Sequence, residues 1–427
     1  MGRTGWAGAC AVAAALVACA VGMAADPEKA FEAGQQAELE GRYREAFDAY
    51  LRAWVDPELR TESARRARSL ERIARVSSDD DSAAVERLRE RVGAGFRTYR
   101  SRSYYVLSDA DDAWTRSRIT LLERAREQYF RELDRLELPV HPHPHRLVCV
   151  FFGEHGDYLD FAKQHDGFDA GWTAGYYSMA HNAIIVHDDR SSPSLFRVNR
   201  QLEGFQERAD VLVGRAEKVE AKGEFDQGQL LRDAAADLEA HIAKERARIE
   251  DQVLRFGVAK VLHEAIHLLA FNTGLQRRGA SYPLWVSEGL AASFESHNID
   301  GQFGFAFEYE PRETELLSLA ADGTVPDLTD LVTLDDNSGL WIETARPIYA
   351  VSYGLFRELH RTNRDELAAY LMELADLPPG PQTAAQHLER FERHFGNVGT
   401  LENRVNRRWA AAARERQQAE AVRSARR

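Results

Sequence analysis

Apolar residues in the middle of the chain predict two packed helices. Residues 258–271 are strongly apolar and contain neither glycine nor proline, a composition typical of a largely buried helix. Asn272 and Gly274 suit the end of that helix, and Pro283 favours the first turn of a second one over 284–294. Because the connection is short and polar, we expect the second helix to turn back and pack beside the first.

A sheet is predicted ahead of this helix pair. Apolar runs indicate three strands, at 103–108, 146–152 and 182–187. Helical periodicity at 111–136 places a helix between the first two strands, and further helices are predicted at 346–374 and 382–397. This order predicts an α+β fold over about 100–400.

Three charged helical regions flank these elements. Residues 27–97 have small and aromatic positions spaced like one tetratricopeptide-type hairpin, although an ordinary amphipathic hairpin explains them equally well. Residues 198–250 predict a long helical hairpin inserted before the apolar helix, where it could cover a cleft, meet a partner or serve as a solvated support. The tail at 408–427 predicts a charged helix or a disordered segment.

The first 25 residues are typical of a secretory signal, with one early positive charge, a short apolar stretch and small residues at its end. The run before Cys19 also resembles a lipoprotein cleavage box, so lipidation at Cys19 is the alternative and a retained anchor the third. Removal of this leader leaves Cys149 as the single thiol, in an apolar run that predicts a buried residue. We expect a secreted or periplasmic protein that contacts a membrane only if Cys19 is lipidated.

The formal net charge of −13 argues against nucleic acid as a partner, since nothing resembles a folded basic stripe. Gly-rich phosphate loops and a Gly-x-Ser-x-Gly elbow are absent from the sequence.

The chemistry is concentrated on the apolar helix. His263 and His267 are four positions apart, so their rings lie one above the other and can converge on one ion. Glu264, one step round the helix, can reach a metal-bound water without binding the metal, as in zinc hydrolases of the H-E-x-x-H type. Glu288 on the second helix is the candidate third ligand, and a solvated carboxylate is its alternative role.

These residues resemble a known group of enzymes. His263-Glu264-x-x-His267 together with Trp285-x-x-Glu288-Gly289-x-Ala291 is similar to the gluzincin, or peptidase MA-like, metallopeptidases, and most similar to an uncharacterised family of secreted bacterial proteins. The resemblance implies one Zn²⁺ per chain, held by His263, His267 and Glu288, with Glu264 as general base. The Gly-x-Met-Glu-Asn motif of the related aminopeptidases is absent, which argues against aminopeptidase activity.

The same resemblance implies further site residues. A tyrosine that stabilises the transition state is expected at Tyr349, with Tyr353 as the second candidate. The resemblance implies a zincin-like domain with a small mixed sheet above a mainly helical half. Residues 182–187 are expected to form the substrate-binding edge strand of this sheet, through Asn182, Ala183, Ile184 and Ile185. Glu295, seven positions after Glu288, is expected to hold a metal-bound histidine, with a solvent-facing carboxylate as the alternative.

We therefore predict a secreted zinc-dependent peptidase whose partner is a peptide or protein substrate. A non-enzymatic zinc-containing binding or scaffold protein is one alternative, using the helical N-terminal region to bind a protein partner. A zinc hydrolase of another amide or an ester is the other.

Overall fold

The computed structural model describes residues 26–76, 82–167, 169–171, 173, 175–335 and 342–425. The predicted leader at 1–25 lies outside these residues. Contacts divide the chain into two compact units. The first comprises the described part of Met1–Asp79 together with Pro139–Pro144, and the second comprises Asp80–Leu138 and His145–Arg427.

The first unit consists of three helices, α1 (Pro27–Leu39), α2 (Tyr43–Ala53) and α3 (Arg60–Val76). Small residues and two aromatic rings form its core: Ala37, Ala46, Phe47, Tyr50, Ala67, Leu70 and Ala74. A Cβ on Gly34 would lie 2.7 Å from the Tyr50 ring, so α1 and α2 pack closely because position 34 has no side chain. The predicted helices are confirmed, whereas α4 (Ser82–Val92) belongs to the second unit.

The second unit contains a five-stranded mixed sheet. Its strands are β1 (Arg97–Arg100), β2 (Tyr104–Ser108), β3 (Leu147–Phe152), β4 (Gly175–Ser178) and β5 (Ala183–His187), in the spatial order β1-β2-β3-β5-β4. The three central strands are parallel, and β1 and β4 pair antiparallel at the two edges. The three strands predicted from the sequence are confirmed, as is the burial of Cys149 within β3.

The prediction that 182–187 forms the edge strand is wrong. Every residue of β5 is buried, and β5 lies between β3 and β4. Continuous burial is typical of an interior parallel strand, which hydrogen-bonds on both sides. The edge strand on this side of the sheet is β4, whose four residues include two half-buried tyrosines and give no apolar run that would predict a strand. Ala183, Ile184 and Ile185 are therefore core residues, and Asn182 lies in the tight turn before them with φ of 50°.

Helices cover the sheet. Side chains of α4 and α6 (His155–Phe161) join one apolar cluster with β2, β3 and β5. Helices α5 (Asp112–Arg135) and α8 (Phe225–Ala270) pack against each other and against the strands. A π-helical turn (Ala162–Asp166) follows α6, and a 3₁₀ turn (Asp189–Ser191) follows β5.

The hairpin predicted at 198–250 is not separate from the apolar helix. Helix α7 (Pro193–Glu220) forms the first arm, and the second arm continues without a break into the apolar segment as the 46-residue α8. At 1.5 Å per residue, α8 is about 70 Å long. An ion pair between Glu220 and Arg232 joins the arms near the turn, where Gly223 has φ of 86°.

The remaining helices form the mainly helical half. They are α9 (Leu284–Ala292), α10 (Glu310–Asp322), α11 (Leu328–Thr333), α12 (Ile342–Thr362), α13 (Arg364–Ala375), α14 (Ala384–Phe395) and α15 (Val398–Ala425). The single helix predicted at 346–374 is interrupted at Asn363. The described part of the tail belongs to α15, which buries Leu401, Val405, Trp409 and Ala413.

These elements confirm the predicted α+β fold class. Within the described residues, no helix carries an apolar stretch long enough to cross a membrane.

Candidate metal centre

Two helices bring the predicted ligands together. His263 and His267 lie one turn apart near the end of α8, and their Nε2 atoms are 3.1 Å apart. All nine residues of α9 are buried, so Glu288 faces the neighbouring helix rather than solvent. The Glu288 Oε2 lies 3.0 Å from the His263 Nε2, and its Oε1 lies 3.7 Å from the His267 Nε2.

The close packing of α9 depends on the glycine that follows Glu288. A Cβ on Gly289 would lie 2.6 Å from the backbone oxygen of Ser352 and 2.8 Å from the Cβ of Phe356, both on α12. Any larger residue would move α9 away from α12, because the first contact is with backbone. The Glu-Gly pair of the sequence motif therefore combines a candidate ligand with the close helix contact that positions it.

The three donors have the geometry and chemistry of a zinc site. Their ligand atoms lie within 4.8 Å of one another, and in the described part of the chain no other set of three histidine, cysteine or acidic residues does so. Around a zinc ion with bonds of about 2.0–2.1 Å, the corners of a tetrahedron are about 3.3 Å apart. Separations of 3.0–3.7 Å agree with this value. Three protein donors leave a fourth position open, as in catalytic zinc sites.

Glu295 is a hydrogen-bond partner of His263. Its Oε1 accepts a hydrogen bond from the His263 Nδ1 at 2.8 Å, which leaves the Nε2 free to face the other donors. Two hydrogen bonds from Arg312, of 2.8 and 2.9 Å, hold the same carboxylate. Helix α9 ends at Ala292, so Glu295 reaches His263 from the turn after the helix and not from the helical face that its spacing predicts.

The buried charges shift each other's pKa values. Burial alone would lower the pKa of His263, but the hydrogen bonds to Glu288 and Glu295 raise it to about 10. Burial opposes ionisation of Glu288 as well, yet the two imidazoles hold its pKa well below the ordinary range. Without a metal, the cluster therefore keeps a proton between imidazole and carboxylate, and a divalent cation would take the place of that proton.

Glu264 differs from the other carboxylates of the site. It lines the same cleft as His263 but, within the described residues, makes no hydrogen bond or ion pair. Burial raises its pKa, although the neighbouring histidines counteract part of that effect. A buried carboxylate with free oxygens beside a metal site has the properties of a general base.

The two tyrosine candidates occupy different environments. Tyr349 on α12 lines the cleft, with its ring 5.9 Å from that of His263 and the Arg312 guanidinium 5.2 Å from its centroid. Burial, together with the nearby Glu288 and Glu264 carboxylates, raises the pKa of Tyr349 well above its ordinary value, so the phenol stays protonated. The Tyr353 hydroxyl instead accepts a hydrogen bond from the Tyr309 backbone N–H at 2.9 Å, inside the core.

A cleft of about 940 Å³ is lined by His263, Glu264, Glu295, Arg312 and Tyr349. Its walls include Thr173 and Gly175 at the start of the edge strand β4, as well as residues of α10 and α12. A Cβ on Gly175 would lie 2.7 Å from Val186, so this end of β4 packs tightly against β5. The strand that borders the cleft is thus one of the two edge strands of the sheet.

A second charged cluster fastens α8 to the sheet one turn before the ligands. Lys260 donates to both carboxylate oxygens of Asp189 at 2.9 Å and to the backbone oxygen of His187 at 2.7 Å. Gly257 makes room for this contact, because a Cβ there would lie 2.7 Å from Asp189.

The sequence gives no sign of Arg312 or of the Lys260–Asp189 pair. Arg312 is 17 residues from Glu295 along the chain, and Lys260 is 71 residues from Asp189. Lys260 is the one charged residue of the apolar run before His263, but this does not identify its partner. Its partner could not be identified, since no motif connects the end of a strand to a helix so distant in sequence.

A comparison with known protein families finds one match, and it includes the residues of this site. Residues 257–380 match the model of a family described as "Protein of unknown function (DUF1570)". The match includes both histidines, Glu264, Glu288 and Tyr349, but less than half of the chain. No curated protein and no solved structure matches the chain. The similarity to an uncharacterised family is confirmed over this segment.

Proposed function

We propose that this protein is a zinc-dependent peptidase of the gluzincin type. The observation that carries the proposal is the convergence of His263, His267 and Glu288 beside Glu264, a buried carboxylate with no hydrogen-bond partner in the described chain. A purely structural zinc site needs four protein ligands and no base. Three ligands and a free carboxylate instead favour hydrolysis. The leader predicted at 1–25 makes secretion or export to the periplasm part of the proposal.

When bound, zinc acts as a Lewis acid and lowers the pKa of its water to around 7. Glu264 accepts a proton from the attacking water, whose oxygen bonds to the peptide carbonyl carbon. The same carboxyl group then gives the proton to the nitrogen of the departing amine as the C–N bond breaks. The raised pKa of Glu264 suits both steps, since a base that also returns its proton works best near the operating pH.

Tyr349 is the proposed donor to the oxyanion that forms on the carbonyl oxygen. Its raised pKa keeps the phenol protonated, so its O–H can donate. Arg312 lies over its ring and also holds Glu295, so one side chain orients both the oxyanion donor and the partner of His263. A preorganised donor of this kind contributes about 3 kcal/mol to transition-state stabilisation.

The cleft favours an extended peptide as substrate. The outer edge of β4 has backbone groups with no strand beside them in the described sheet, and β4 begins at the cleft wall. A peptide could add to this edge as a further strand, with its scissile bond over the metal centre.

The deciding experiment compares three zinc-loaded proteins on a library of peptides derived from a proteome. Wild type should cleave a subset of the library, and Glu264→Gln should lower the rate roughly 10³-fold while zinc content and melting temperature are unchanged. Glu250→Gln is the matched control, on the exposed part of the same helix. Equal cleavage by wild type and Glu264→Gln would remove Glu264 as the base. Absence of cleavage by zinc-loaded wild type would favour a zinc-containing binding protein or a hydrolase of another bond.

A further inference from the structure

A second concave site lies at the far end of β4, beyond the metal cleft. It encloses about 470 Å³ and is lined by residues of α4, the π-helical turn, the β4–β5 turn and the loop after α8: Arg87, Leu88, Arg91, His165, Ala180, His181, Asn182 and Arg278. Because β4 is four residues long, the site begins about 10 Å along the strand from Gly175 in the cleft wall. All of these residues belong to the second unit.

The charge of this pocket is not balanced by the protein. Within the described residues, Arg87, Arg91 and Arg278 form no ion pair with any carboxylate. Arg87 and Arg91 are four positions apart on α4, an arrangement of like charges that destabilises an isolated helix. The chain as a whole has a net charge of −13, so a cavity lined by three arginines without a carboxylate partner in the described residues is an unusual local concentration of positive charge.

The floor of the pocket is built from a buried hydrogen-bonded network. The His181 side chain is 7% exposed, and the Arg91 Nη1 lies 2.8 Å from its Nδ1 and 3.0 Å from its Nε2. Behind His181, the Asp166 carboxylate accepts hydrogen bonds from the Tyr176 hydroxyl at 2.7 Å and the Ser178 hydroxyl at 2.6 Å. The same carboxylate lies 3.9 Å from the His181 Nε2, so the network joins the floor of the pocket to the β4–β5 hairpin.

The backbone beneath the pocket is unusual as well. His165 and Asp166 lie in the π-helical turn, which ends at Gly167 with φ of 75°. Such turns are rare and occur frequently at functional sites. This one directs an imidazole into the cavity, and two further side chains on α4, Val85 and Leu88, anchor the arginine-bearing helix to the sheet.

We propose that this pocket binds a phosphate monoester dianion carried by a larger ligand. Guanidinium groups bind phosphate oxygens in pairs of parallel hydrogen bonds, and the charge of three of them exceeds that of one dianion. No carboxylate in the described part of the chain forms an ion pair with these three arginines. A water molecule occupies about 30 Å³ in the liquid, so 470 Å³ holds a phosphate group together with part of the molecule attached to it. The site does not depend on the metal centre.

The test measures equilibrium binding by calorimetry to the full, zinc-loaded chain at pH 8 and constant ionic strength. Phenyl phosphate, a dianion at that pH, should bind roughly tenfold more tightly than phenyl sulfate, which has a similar shape but one negative charge. The double variant Arg87→Gln/Arg278→Gln should weaken phenyl phosphate binding at least about tenfold. Arg215→Gln, on the exposed surface of α7, is the matched control and should bind as wild type does.

Three results would overturn the proposal. Equal affinity for phenyl phosphate and phenyl sulfate would show that the pocket does not select a dianion. Unchanged binding in the double variant would place the ester elsewhere, including at the zinc ion, and equal loss in Arg215→Gln would indicate only general charge. Both substituted arginines are exposed, and unchanged circular dichroism and melting temperature would show that the double variant folds. Because the readout is binding and not turnover, failure here leaves the peptidase proposal untouched.

Discussion

Two buried charge clusters lie one turn apart on α8, and they differ in how their charges are compensated. Lys260 has its counter-ion, Asp189, and a backbone acceptor, so every formal charge there meets an opposite group of the protein. The cluster of candidate ligands directs atoms of His263, His267 and Glu288 at one point, and within the described residues Glu288 forms no ion pair with a lysine or an arginine. Buried charge alone therefore does not identify a functional site. Convergence of donors that lack a protein cation is the feature on which we base the proposed metal site, because a metal ion would complete such a cluster.

The largest effect should come from removing a ligand. His267→Ala should weaken zinc binding roughly 10³-fold, because two remaining donors cannot complete a tetrahedral site. Zinc content after dialysis and competition with a chelator measure the change. His241→Ala, on the same helix but exposed, is the control and should retain one zinc per chain. Full zinc occupancy in His267→Ala would refute the ligand assignment.

The compensated cluster should respond in stability and not in metal content. Lys260→Met should cost about 3 kcal/mol of unfolding free energy, since it leaves the Asp189 carboxylate without its partner. Chemical denaturation gives this value, and zinc content should be unchanged. The double variant Lys260→Met/Asp189→Asn should recover part of the loss. If it is as unstable as the single variant, the ion pair is not the source of the stability.

Acid should weaken the same region through His187, which lies at the end of β5. Burial, with a contribution from Lys260, lowers the pKa of His187 to about 4. The unfolded chain, with a pKa near 6.5, takes up the proton first, so stability present at pH 7 is lost as the pH falls from about 6.5 towards 4. At pH 4.5 the loss from this group is about 2 kcal/mol.

Urea denaturation at pH 7 and pH 4.5 tests this prediction against His187→Gln. The variant should lose about 2 kcal/mol less than wild type between the two pH values. Equal losses would show that His187 is protonated in the folded protein at pH 4.5.

The smallest effect on zinc binding is expected from substitution of Glu295, the hydrogen-bond partner of His263. Glu295→Gln should weaken zinc binding about tenfold, because the amide oxygen still accepts from the His263 Nδ1 but lacks the charge that strengthens the imidazole as a ligand. Chelator competition against wild type resolves a change of this size. A loss as large as that of His267→Ala would mean that Glu295 is itself a ligand.

The sequence predicted the elements that depend on local patterns. The apolar helix, the three longest strands and the α+β class follow from periodicity and from runs of buried residues. The edge strand β4 was not predicted, because its four residues, two of them half-buried tyrosines, give no recognisable strand pattern. They form a strand because they pair with β5. The sequence also did not predict that the second arm of the hairpin and the apolar helix carrying His263 and His267 form one helix, α8. The polar and apolar halves of α8 have different patterns and therefore look like two separate elements.

The same division holds for the site. Spacing alone determined that His263 and His267 share a helix face with Glu264 beside them, because helical geometry is local. Tertiary structure decided which carboxylates contact these histidines, because Glu288 and Glu295 come from another segment, whose packing depends on glycines such as Gly289. It also brought Arg312 to Glu295. It also decided that Tyr349 faces the cleft while Tyr353 is held in the core. The sequence determines which chemical groups are available, but the distances between groups on different segments are determined only by packing of the core.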